Sequence, residues 1–163
     1  MKFYCLLIAI LLSTATLIAQ EAKPTLDSKP IPVIADLERV VGAGADDDVF
    51  QQMLKTYHFT ENPKRERSWG SSFGVFFEVS KDNKVLVGIR PPTSAANMPT
   101  YAGELPHKLK PEVSVAEIGS KLGRPKSTSG ELNGQYIMIY EGLHVITLNG
   151  RLFEIWLTSA SRR

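Results

Sequence analysis

Apolar and polar positions follow two different periods along this chain. In residues 34–41, Ile34, Leu37 and Val41 recur at helical spacing and Gly42 follows them. A second stripe, Val49, Phe50, Met53, Leu54 and Tyr57, lies along one side of a helix predicted over residues 46–57. Asp46, Asp47 and Asp48 stand at its start, where acids suit the positive end of the helix dipole and supply a cap. From Arg67 the period shortens to two. Residues 67–71, 74–80 and 85–90 read as strands, the last two joined around Lys81-Asp82-Asn83-Lys84 and ended by Pro91-Pro92. After an irregular Pro-containing stretch, Ser114-Val115-Ala116-Glu117 forms a capping box that opens a helix to Leu122, and Gly123-Arg124-Pro125 closes it. Residues 127–133 read as a polar turn. Strands follow over 135–141, 143–148 and 152–158, with Asn149-Gly150 as the hairpin turn between the last two, since both residues tolerate positive φ.

The same order of elements occurs twice. A helix ends in an apolar residue and Gly (Val41-Gly42; Leu122-Gly123), then comes an aromatic strand (Trp69; Tyr136, Tyr140). A Gly opens the next strand (Gly74; Gly142), and a hairpin follows with a basic residue just past its turn (Lys84; Arg151). Matching Ile89 with Ile155 leaves separations from the Gly that differ by an even number, so both side chains keep one face. The predicted fold is α+β: two tandem helix-plus-antiparallel-hairpin units form a sheet of about six strands, with helices packed on one face. The other face is partly open. Tyr136, Met138 and Tyr140 alternate with Ile137 and Ile139, so one of these sets turns away from the core.

The first 19 residues read differently from the rest. Lys2 precedes an apolar run over residues 3–12, a Ser/Thr/Ala stretch and Leu17-Ile18-Ala19. This is the pattern of a signal peptide cleaved after Ala19, with cleavage after Ala15 or retention as an anchor as alternatives. The expected organisation is a signal peptide at 1–19, a Pro-rich tether at 20–33 (or a first edge strand from Ile31 to Ile34) and a first repeat at 34–90. A Pro-rich connecting loop at 91–112, a second repeat at 113–158 and a tail at 159–163 complete it. The protein is therefore expected outside the cytoplasm, periplasmic or extracellular, with no stable membrane insertion once the signal is removed.

With 163 residues the chain has the size of one domain, or of two very small ones sharing a core, and a near balance of 19 basic against 17 acidic residues argues against a nucleic-acid binder, which needs a concentrated basic surface. The single cysteine, Cys5, lies inside the leader, so the remainder must be stable without disulfides.

The segment Ser114-Val115-Ala116-Glu117, Leu122-Gly123-Arg124-Pro125, Tyr140-Glu141-Gly142-Leu143-His144-Val145, Gly150-Arg151-Leu152 and Ile155 resembles the repeat of BamE/SmpA-like domains. Two such copies behind a signal peptide also resemble the arrangement of β-lactamase-inhibitor proteins. Gly103-Glu104-Leu105-Pro106 resembles a stretch of exported or immunity-type bacterial proteins. The resemblance implies fold more than function. This chain lacks both the lipid-attachment cysteine of the first group and the disulfide cysteines of the second, and no functional residue carries over.

Chemistry-bearing residues are scattered. His58, His107 and His144 have no second His or Cys at ligand spacing. Asp46-Asp47-Asp48 lacks the alternating ligands and Gly turn of a Ca²⁺ loop. Ser71, Ser72 and Ser94 lie in no Gly-x-Ser-x-Gly elbow, and Gly42-Ala43-Gly44-Ala45-Asp46 lacks the Lys-Ser/Thr of a phosphate loop. Lys64-Arg65-Glu66-Arg67-Ser68-Trp69 reads as a solvated edge strand. No catalytic residue, metal ligand or cofactor site is expected.

Binding surfaces are the better candidates. They are loop 91–106, with Met98 and Tyr101, and the open sheet face, assigned Trp69, Tyr136, Tyr140 and Trp156, since Trp, Tyr and Met are enriched in interface cores. The expected function is an exported, non-enzymatic module that binds a protein partner, in the manner of an immunity factor, inhibitor or envelope accessory. The alternative is a ligand-binding or enzymatic domain with a pocket between the repeats. A structural envelope component is a further possibility.

Overall fold

Alternation of apolar and polar residues, with Val, Ile, Leu and Phe at the inward positions, builds an antiparallel sheet of eight strands. The computed structural model describes residues 30–92, 98–130 and 133–159. The expected leader and the tether up to residue 29 lie outside the described residues. The strands are β1 (Thr60–Glu61), β2 (Ser68–Gly70), β3 (Val75–Val79), β4 (Val85–Ile89), β5 (Ser127–Thr128), β6 (Gln135–Tyr140), β7 (Leu143–Leu148) and β8 (Arg151–Leu157). In space they run β1-β2-β3-β4-β8-β7-β6-β5. β4 and β8 meet at the centre, where Val87 lies opposite Leu157, Gly88 opposite Trp156 and Ile89 opposite Ile155.

One face of the sheet is covered by helices α1 (Ile34–Val40), α2 (Asp48–Thr56) and α3 (Val115–Leu122). Their buried residues Leu37, Val40, Phe50, Met53 and Ile118 share one core with Val75, Phe77, Val87, Ile89, Val145 and Ile155. Phe50 anchors α2. Its ring meets Trp69 and Phe77 edge-on, with centroids 5.3 and 5.2 Å apart. Fully burying such a ring stabilises by roughly 1.5–3 kcal/mol.

Helix α3 starts at the expected capping box. Ser114 Oγ accepts from the Glu117 amide, and the Glu117 carboxylate accepts from the Ser114 amide at 2.9 Å. Asp47, at the cap of α2, makes no such bond; its carboxylate accepts from the Gly44 amide instead, at 2.7 Å.

Two features differ from the pattern read in the sequence. The sheet has eight strands because β1 and β5, two exposed residues each, extend its two edges. The Pro-rich segment after β4 is irregular in its described residues, as expected, but it is packed into the core. Tyr101, Leu105, Leu109 and Val113 turn into the core, and Pro106–Lys108 forms a short 3₁₀ turn. A bulge between Ile146 and Thr147 shifts the β7–β8 register, placing Leu152 opposite Thr147 and keeping Leu152 in the core. No helix among the described residues is long and apolar enough to cross a membrane.

Candidate binding face

The buried helix residues all belong to the core, which leaves the opposite face of the sheet to the side chains between the core positions. Cross-strand register sets one row on that face: Phe76, Gly88, Trp156, His144 and Ile139 lie opposite one another in turn across β3, β4, β8, β7 and β6. Glu154, Ile146 and Ile137 make the next row, and Leu86 lies on the same face beside Glu78. The rings and aliphatic chains here are half-buried by one another and stand apart from the core.

Gly88 makes this packing possible. A Cβ at that position would collide with the Phe76 ring, which lies across the glycine. The ring then meets Trp156 edge-on at 4.9 Å and carries the Arg90 guanidinium 5.1 Å from its centroid.

A cleft of about 420 Å³ opens beside this cluster. Phe76, Arg90, Glu154, Trp156, Arg65 and Glu78 are among the residues that line it. Glu154 accepts from Trp156 Nε1 at 2.6 Å and from Arg90 Nη2 at 3.3 Å. The Arg90 and Glu154 side chains retain only 22% and 12% of their exposure. Across the cleft Arg65 pairs with Glu78. Burial pushes the Glu154 carboxyl above its ordinary 4.5; the bonds from Trp156 and Arg90 oppose this without cancelling it. Burial also holds the His144 imidazole below its ordinary 6.5, which favours the neutral ring.

The residues singled out in the sequence do not share a face. Trp156 lies on the open side. Trp69 lies opposite Phe77, Tyr136 opposite the buried Thr147 and Tyr140 opposite Leu143, so all three point toward the helices and pack against the core. Tyr101 is 1% exposed and donates its hydroxyl hydrogen bond to the Pro32 carbonyl at 2.8 Å, which leaves it no surface for a partner. Met98 is 50% exposed. Phe76, Arg90 and Glu154 were missed. The available signal was Gly88 inside an otherwise apolar strand, since such a glycine marks a close approach.

A second cavity, of about 550 Å³, lies on the helix side between Ile31, Val33, Tyr101, Leu105 and His107. His58 and His107 are exposed, and both have left-handed backbones. Among the described residues, no group of three or more His, Cys, Asp or Glu is placed to hold a metal ion. The chain matches no protein-family model, no curated protein and no solved structure.

Proposed function

We propose that this chain is an exported, non-enzymatic interaction module that docks a protein partner on its open sheet face. One observation supports the reading above the others: a continuous row of half-buried rings and aliphatic chains crosses the central strands, and Gly88 is shaped to it. Such a surface resembles an interface core, with Trp156 and Arg90 as the residue types that dominate hot spots. Of the two expected contact regions, the sheet face and loop 91–106, the loop keeps Met98 as its exposed candidate, while Tyr101 and Leu105 are buried.

We also propose that the sheet is built from two tandem copies. Gly74 and Gly142 both have positive φ and both open a hairpin whose far end hydrogen-bonds back, Arg90 N to Gly74 O and Thr158 N to Gly142 O. The matching is best with α2 against α3 and with Ile89 against Leu157, because these residues immediately precede Arg90 and Thr158, whose amides make the equivalent bonds. The separations Gly74–Ile89 and Gly142–Leu157 are then equal. Ala43 and Val113 occupy equivalent places, each accepting from the start of the last strand of its unit.

The cleft favours a second reading, a small-ligand site, because residues of β2, β3 and β8 converge there. The two readings separate experimentally. The full-length protein is tagged and used for capture, alongside Ile146→Asp on the open face and Glu38→Ala on α1. Docking predicts a stoichiometric protein lost with Ile146→Asp and kept with Glu38→Ala. It also predicts that hydrogen exchange in the isolated complex slows in β3, β4, β7 and β8. Capture that survives Ile146→Asp, or protection confined to the helices, rejects the reading.

A further inference from the structure

We infer that the cleft over Phe76 receives an acidic side chain, Asp or Glu, projected by the protein that covers the open face, with Arg90 as its recognition residue. This rests on the docking reading and adds the chemistry of one contact to it.

The argument is a count of donors and acceptors. A guanidinium carries five N–H groups. Arg90 uses one of them, on Glu154 at 3.3 Å. Its Nε is buried and has no acceptor among the described residues. Of the acidic groups lining the cleft, each already has a donor. Glu154 accepts from Trp156 through one oxygen and from Arg90 through the other. Glu78 is held by Arg65. The Ser71 hydroxyl donates to the Val75 carbonyl at 2.7 Å and accepts from the Val75 amide at 3.2 Å. Arg90 is therefore left with most of its donor capacity unused, beside carboxylates that are already paired.

The setting strengthens that bias. The guanidinium lies over Phe76, and Trp156 and Ile146 also line the cleft. A partner laid over these apolar groups excludes water, and a charge-assisted bond gains strength in the lower dielectric. Because Arg90 lines the cleft, its unused Nη hydrogens can meet an acceptor brought by the partner. A carboxylate fits better than an amide because it adds charge to the hydrogen bond, and the planar fork of Arg can meet both its oxygens.

The test uses the nitrogen-labelled full-length protein and short peptides as probes, read through the indole N–H signal of Trp156, which is bonded to Glu154. The probes are acetyl-Leu-Glu-Leu-amide, its Gln counterpart, and the Gln peptide with a free C-terminal carboxylate. The Glu peptide is expected to shift the signal saturably and to bind about tenfold more tightly than the Gln amide. Arg90→Gln should remove the preference, and Arg90→Lys should keep part of it. Equal binding of the Glu and Gln amides, or no shift with either, overturns the inference. Equal binding of the free-carboxylate peptide and the Glu peptide assigns the cleft to a chain end and overturns the side-chain assignment. If capture still depends on Ile146 while the peptides show no preference, docking stands and the carboxylate contact falls.

Discussion

Glu154 is the residue whose environment most directly predicts a measurable behaviour. Its carboxyl is pushed above 4.5, chiefly by burial, and the unfolded chain has no such burial. The folded protein therefore binds this proton more tightly than the unfolded one. Stability from this group is fully present below 4.5 and is lost as pH rises through the raised folded value. Glu154→Gln keeps an oxygen for Trp156 and removes the titration. The stability of wild type relative to Glu154→Gln should therefore fall as pH rises from below 4.5 through the raised folded value, as read from urea unfolding at a series of pH values. A rise instead would mean that Arg90 outweighs burial and that the carboxyl titrates low. This site was only partly legible in the sequence. Adjacent strand residues face opposite sides, so Phe76 and Phe77 divide between the open face and the core, and the run Val75-Phe76-Phe77-Glu78-Val79 left either assignment possible. The same parity separates Trp156 from Trp69.

At the scale of elements, periodicity located the helices and the two long hairpins because each has an apolar side of its own. It could not reveal β1 and β5, whose two exposed residues each carry no apolar alternation and pair only because a neighbouring strand offers its edge. The irregular backbone expected over residues 91–112 is there in the described residues, but proline content says nothing of the core that Tyr101, Leu105, Leu109 and Val113 enter. Gly74 shows how closely this segment is held. Its φ is +77°, and an added Cβ would strike the backbone of Thr100 and Tyr101. Gly142, at φ +69°, would meet only the Thr158 carbonyl, at 3.4 Å. Gly142→Ala should therefore cost roughly 1–2 kcal/mol for the left-handed backbone alone. Gly74→Ala should cost about 3 kcal/mol or more, because overpacking against backbone is added to the same strain. Chemical denaturation of the two variants compares them directly. Equal losses would show that the segment around Thr100 gives way.

Across the whole molecule, the central question is whether the two ends of the sheet behave as one body. The core runs without a break from Leu37 on α1 through Ile89 and Ile155 to Val145 and Met138, and the β4–β8 pairing carries backbone bonding across the centre. Neither end keeps a separate core, so unfolding one exposes apolar surface on the other. Calorimetry should therefore show a single transition, with calorimetric and van't Hoff enthalpies equal. Ile155→Ala removes a fully buried side chain that lies opposite Ile89 and should lower stability by about 2–5 kcal/mol while leaving one transition. Two resolved transitions, only one of them moved by Ile155→Ala, would show that the ends unfold separately. The outcome bears on binding as well. The aromatic row crosses the β4–β8 seam, with Phe76 on one side and Trp156 and His144 on the other. A cooperative sheet holds these side chains in fixed register before a partner arrives, so little ordering cost remains to be met on association. Independently unfolding ends would leave the seam to be ordered by the partner, and Ile155→Ala would then weaken capture even at temperatures where the protein remains folded.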